Sequence, residues 1–94
     1  MPDSPAVSHD PAACRFEIRT EAGPALLAYL QRGVALEITH TEVPEQAEGR
    51  GYAAALAQAA LDYARRERKQ VIPSCPYVAA YIARNPGYAD LVTS

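Results

Sequence analysis

Between residues 48 and 69 the apolar side chains Ala53, Leu56, Ala57, Ala60, Leu61 and Ala64 recur at intervals of 3, 1, 3, 1 and 3. That is the helical period with a single apolar stripe. The stripe is mostly alanine, so the helix can pack close against a sheet. Arg65, Arg66, Arg68 and Lys69 gather at its C-terminal end, where the macrodipole favours cations, and read as a solvated helix end. Just before it, Val34, Leu36, Ile38 and His40 alternate with Ala35, Glu37, Thr39 and Thr41. Just after it, Gln70-Val71-Ile72-Pro73 reads as a short buried strand. Strand, helix, strand is a β-α-β crossover, so the two strands should lie parallel.

The remaining segments fit around that unit. Cys14-Arg15-Phe16-Glu17-Ile18-Arg19-Thr20 alternates apolar and charged, a half-buried strand with Cys14, Phe16 and Ile18 inside. Glu21-Ala22-Gly23-Pro24 signals a turn. Residues 25–31 begin like a helix on propensity. The flanking Gly23-Pro24 and Arg32-Gly33 leave room for only a short element, so we assign a strand, which gives a three-stranded antiparallel meander. Pro44 has no amide hydrogen and should end the next ladder. Pro76 suits the first turn of a short second helix with Tyr77, Val78, Tyr81 and Ile82 as its stripe. Asn85-Pro86-Gly87 should stop it, leaving a tail of one turn packed by Tyr88 and Leu91. The expected class is therefore α/β (α+β): a meander plus one parallel strand, with one long and one short helix.

Composition bounds the rest. At 94 residues the chain suits one domain, expected over residues 14–94, after a flexible lead-in over residues 1–13 that carries Pro2, Pro5, Pro11 and an idle His9. Apolar residues make up 49%, and 19 of them are alanine, enough for one modest core. No apolar run is long enough to span a bilayer, and the start lacks the basic and apolar blocks of a secretory signal. A net charge of −2 argues against a dedicated nucleic-acid binder. Cys14 and Cys75 do not resemble a secreted disulfide framework, so a cytoplasmic chain with reduced thiols is expected. With His9 and His40 they form no metal-ligand spacing.

The segment with chemistry in it is Val43-Pro44-Glu45-Gln46-Ala47-Glu48-Gly49-Arg50-Gly51-Tyr52-Ala53, which joins a strand end to the start of the long helix. Glycines allow a tight turn or close backbone approach. A helix start exposes unpaired amides with partial positive charge. Together they suit a phosphate, and Arg50 can add a charged contact; an ordinary glycine-capped turn has the same spacing. No Gly-Lys-Ser/Thr follows, which excludes a standard nucleotide-hydrolysing loop. A dinucleotide Gly-x-Gly-x-x-Gly is absent as well.

The segment resembles motif A of the GNAT superfamily of acetyl-coenzyme A-dependent N-acetyltransferases: Gln or Arg, two residues, Gly, one residue, Gly or Ala. Gln46, Gly49 and Gly51 fill one frame; Gly51 and Ala53 fill another, in which Glu48 replaces the expected Gln or Arg and which agrees better with the helix start. His40-Thr41-Glu42-Val43-Pro44, Gly49-Arg50-Gly51, Pro73-Ser74-Cys75-Pro76-Tyr77-Val78 and Tyr81-Ile82 look like the small, single-domain GNAT-like family of the YjdJ type, over about residues 14–92. The resemblance implies a cleft where the strand of residues 34–41 parts from that of residues 70–73. The pantetheine arm of the acetyl-coenzyme A cosubstrate would run along Thr41, Glu42 and Val43. Its pyrophosphate would sit on the amides of Gly49, Arg50, Gly51, Tyr52 and Ala53, and the thioester would point past Ile72.

Three side chains are candidates for catalysis. Cys75, ahead of Pro76, stands at a helix start that favours thiolate, as a nucleophile or as a general acid for the leaving thiol; otherwise it fills a tight corner. His40 shares the inner phase, either as a core histidine or as a base for an acceptor amine. Tyr81, with Tyr77 one turn before it, can protonate the leaving thiolate or pack the core. Glu37 and Glu42 would suit a cationic acceptor if they faced the cleft. The expected function is N-acetylation of an amine of unknown identity, a small molecule or a protein lysine. The alternative is a coenzyme A sensor without turnover, and a pure interaction domain is a third reading. No nucleic-acid or membrane partner is expected.

Overall fold

A computed structural model describes residues 6–92. Pro2, Pro5 and the last two residues of the tail lie outside them. Five strands form one sheet in chain order: β1 (Ser8–Asp10), β2 (Arg15–Thr20), β3 (Gly23–Arg32), β4 (Ala35–Glu42) and β5 (Gln70–Pro73). The first four are antiparallel neighbours. Helix α1 (Tyr52–Arg66) crosses over, and β5 pairs parallel with β4 from Ala35↔Gln70 to Ile38↔Pro73. Helix α2 (Pro76–Arg84) follows, with 3-10 turns at Glu45–Ala47 and Pro86–Leu91. The α+β class and the parallel crossover are as expected from the sequence. Residues 25–31 are strand, because pairing with β2 on one side and β4 on the other outweighs helical propensity.

The core lies against one face of the sheet. Phe16, Ile18, Ala25, Leu27, Tyr29, Leu36, Ile38 and Val71 are buried there with Leu56, Ala57, Ala60, Leu61 and Ala64 of α1 and Val78 and Ile82 of α2. Burying a leucine such as Leu56 or Leu61 contributes about 1.5–3 kcal/mol. The small alanines between them let α1 sit close to β2 and β3, which it contacts most. Among the described residues, no helix is long and apolar enough to cross a membrane.

Four details depart from expectation. Within the expected lead-in, Ser8–Asp10 form β1, which pairs His9 with Phe16. His9 is not idle: its ring stacks on Phe16 at 4.0 Å and meets the edge of Tyr63 at 4.4 Å. Its Nε2 shares a 2.7 Å hydrogen bond with the Tyr29 hydroxyl. Burial, helped by neighbouring Tyr63, pushes Tyr29 up to about 12, so the phenol keeps its proton. Three residues are too few for a sequence period, so β1 was hidden until its partners came together.

The second departure is in β4. Tyr29 pairs with Ile38 but Ala28 pairs with His40, so Thr39 is an extra residue and the strand bulges. A bulge reverses the alternation beyond it. His40 therefore faces outward and is exposed, contrary to its expected inner phase, and Thr41 turns towards the core side. Val34, also expected inside, is 71% exposed in the turn before β4.

Third, α1 starts at Tyr52 and ends at Arg66, inside the expected residues 48–69. Gly51 holds a left-handed φ of 83° at its N-cap, and Arg68 turns the chain with φ 58°. Fourth, Arg65 is not merely a solvated helix end. Its guanidinium donates to both carboxylate oxygens of Asp90 at 3.0 and 3.1 Å and to the Gly87 carbonyl at 2.8 Å. Tyr88 adds a 2.8 Å bond to Asp62, so the tail is tied along α1.

Candidate functional site

The ladder between β4 and β5 ends at Ile38 and Pro73. Beyond it β4 runs on to Glu42, while the other chain turns at Ser74 and enters α2 at Pro76. The strands part, as the GNAT resemblance implied. Next to the opening is a cavity of about 250 Å³ lined by Val43, Ala47, Glu48, Gly49, Gly51, Tyr52, Ala53, Ala54 and Tyr77.

The glycines at its rim are required by the backbone. Gly49 has φ 81° and Gly51 φ 83°, a region that L side chains rarely adopt. A Cβ built on either would meet nothing within 4 Å, so open space lies beside the loop. No side chain caps α1, and its first turn contains no acid. The helix's leading amides and its positive end thus face a cradle of glycine backbone. These residues fit the phosphates of a coenzyme. Both left-handed glycines belong to the frame Gln46, Gly49, Gly51. In the frame of Glu48, Gly51 and Ala53, Gly51 is the N-cap of α1 and Ala53 lies in its first turn.

The other candidates are dispersed. Val43, Gly49, Gly51, Tyr52 and Ala53 all reach the cavity wall. Arg50 does not: its guanidinium, 59% exposed, lies 3.6 Å from Glu21, beside a separate depression that Gln46 also lines. Thr41 is half-buried, and its hydroxyl lies 3.4 Å from the Cys75 sulfur. Cys75 is the N-cap of α2, 5% exposed, with its amide bonded to the Ile38 carbonyl at 2.9 Å. It is not part of the cavity lining.

Glu42 points out and pairs with His40 across 3.4 Å, so neither meets Cys75. Tyr81 lies between Tyr77 and Tyr88, with ring centroids 6.4 and 6.3 Å away, and burial raises the pKa of its hydroxyl. Tyr77, also assigned to packing, is the one of these two that lines the cavity. The i, i+4 spacing put both on one stripe but did not say which faced the opening. Glu37 is already engaged: Oε2 accepts from the Ser74 hydroxyl and Oε1 from Arg32 Nε, each at 2.6 Å. Those two bonds, Ser74 first, hold its carboxyl below the usual range.

Residues 15–91 match the family of GCN5-related N-acetyl-transferases. The chain belongs to that GNAT family. Protein NATD1 of Mus musculus is 36% identical over 83 residues, covering 85% of this chain and 76% of that one. Protein NATD1 of Danio rerio is 35% identical over the same shares. The solution structure of a GCN5-like protein from Staphylococcus aureus superposes with a TM-score of 0.75 at 20% identity, over 97% of this chain and 90% of that one. The GNAT fold expected from the motifs is therefore the fold observed, with the strand β1 added at the edge of the meander.

Proposed function

We propose that this GNAT member is an acetyl-coenzyme A-dependent N-acetyltransferase. The observation that carries this reading is the pair of left-handed glycines ahead of an uncapped helix start, opening on a cavity where β4 and β5 part. The amides from Gly49 to Ala53 would hold the pyrophosphate. The β5-facing edge of β4 has no strand partner after Ile38, so backbone groups of Thr41, Glu42 and Val43 are available to the pantetheine arm.

The acetyl thioester would then lie near Thr41 and Cys75. In the covalent route the Cys75 sulfur attacks the acetyl carbon, the carbon–sulfur bond to the coenzyme breaks, and the departing thiolate takes a proton. Tyr77 at the cavity wall is better placed for that proton than Tyr81. A neutral amine then attacks the acetyl-cysteine and the Cys75 thiol leaves. In the direct route the amine attacks the bound thioester, and Cys75 protonates the coenzyme sulfur. His40, exposed beside Glu42 on the other face of the sheet, would receive the amine proton through water. The acceptor class is an amine, small or on a protein.

A second reading is favoured by two observations. Glu48 places a negative charge on the cavity wall, and Cys75 is buried. Both suit a coenzyme A sensor that binds without turnover. Coenzyme A and two free thiols fit a cytoplasmic setting under either reading.

Acetyl-coenzyme A should raise the melting temperature, by the equivalent of about 2.7 kcal/mol at a hundredfold excess over Kd. Under the covalent route intact-protein mass spectrometry should find one acetyl group on Cys75, absent from Cys75→Ala; the direct route gives thiol release without an adduct. Binding without adduct or thiol release across an amine panel selects the sensor. No thermal response removes both readings.

A further inference from the structure

We propose that Glu37 is a positioning residue for Cys75, acting through the Ser74 hydroxyl. The inference rests on the reading of Cys75 as the group that meets the thioester. It begins from register: Glu37 pairs with Ile72 in the parallel ladder, yet its carboxylate reaches two residues further, to Ser74. Ser74 is where the chain leaves β5, turning so tightly that its amide bonds back to the Ile72 carbonyl at 3.0 Å. The next residue is Cys75, held by its own amide to Ile38. The turn that aims the sulfur at Thr41 thus has two backbone anchors and one side-chain anchor, and the side-chain anchor is Glu37.

The carboxylate is itself fixed. Arg32 donates to one oxygen while Ser74 donates to the other. Glu37 has 21% of its side chain exposed and Arg32 59%, so Arg32 screens the outer side and orients the carboxylate. An exposed ion pair of this kind adds little to global stability. Its effect is local: a charge-assisted hydrogen bond to one rotatable hydroxyl restricts where the following residue can go. This also accounts for why Glu37 does not serve as a free anion for a cationic acceptor.

The test labels the thiols with iodoacetamide in the full chain and uses Cys14 as internal reference. In Glu37→Leu and in Ser74→Ala the turn loses its side-chain anchor, and the buried Cys75 should alkylate about tenfold faster while Cys14 is unchanged. Glu37→Gln keeps an acceptor for Ser74 and should fall between wild type and Glu37→Leu. The double variant Glu37→Leu/Ser74→Ala should label no faster than either single variant, because both cut one connection. In acetyl transfer the same variants should lower kcat and leave the KM for acetyl-coenzyme A unchanged. Unchanged labelling in the single variants, additive effects, or a parallel rise at Cys14 would overturn the proposal. If wild type transfers no acetyl group while the labelling pattern holds, the transferase reading fails and the control of Cys75 by Glu37 stands.

Discussion

At the β1 end of the sheet, His9, Phe16, Tyr29 and Tyr63 meet ring against ring, and a hydrogen bond joins the imidazole to a phenol. At the β5 end the strands part after Ile38 and Pro73, the loop before α1 bends through two left-handed glycines, and a cavity stands open. Side chains carry the first region and backbone carries the second. The closed end derives its energy from ring contacts and burial, which tolerate no loss of volume. The open end leaves amides without protein partners, which costs stability unless water or a ligand satisfies them. The contrast teaches where to look for function in a chain this small: where the packing stops and unused donors converge.

The comparison can be broken most forcefully at the closed end. Phe16→Ala should destabilise by about 3–5 kcal/mol, read as a fall in the urea midpoint, with the chain binding acetyl-coenzyme A if it folds. A loss below about 1 kcal/mol would show that the ring cluster is ornamental. Gly51→Val should do the opposite. Stability should drop by about 1–2 kcal/mol from the forced φ, while coenzyme affinity falls more than tenfold by titration calorimetry. Equal affinity in that variant would remove the glycine cradle from the site.

A finer probe is pH. Burial holds the His9 pKa below its ordinary value, reinforced by Arg66 and opposed by Asp10. The neutral ring is thus the folded form, and its contribution is complete above the ordinary imidazole pKa of about 6.5. It should be lost as pH falls from there towards the depressed value, because the unfolded chain takes up the proton first. Thermal melts of wild type and His9→Ala should differ by about 1 kcal/mol at pH 8 and converge in mild acid. Persistence of the full difference at pH 5 would refute this role of the neutral His9 ring. The smallest effect is expected at His40, exposed beyond the bulge: His40→Ala should change stability by less than about 0.5 kcal/mol. If it also leaves transfer rates unchanged across pH, the base must be found elsewhere.

Much of the molecule was legible from local pattern. The alanine stripe from Ala53 to Ala64, the alternation at Phe16 and Ile18 and the proline at 76 each report a period or a missing donor, and those act within a few residues. The glycine pair was legible for the same reason. Misjudged features depend on distant partners. His40 followed a clean alternation until one extra residue, Thr39, reversed it, and nothing local marks a bulge paired to Ala28 and Tyr29. His9 gave no period because β1 is three residues long. The start of α1 moved from residue 48 to Tyr52 because the left-handed glycines make the loop longer than propensity implied.

The amino-acid order alone settled that β2, β4 and β5 are strands and α1 and α2 helices, and that β4 and β5 run parallel, because period, proline and crossover handedness are properties of neighbouring residues. Only the tertiary structure decided that His40 turns outward, that Tyr77 and not Tyr81 reaches the cavity, and that Glu37 is occupied by Arg32 and Ser74. Those outcomes depend on register and packing between segments far apart in the chain, and a one-residue slip in register exchanges the inside of a strand for the outside.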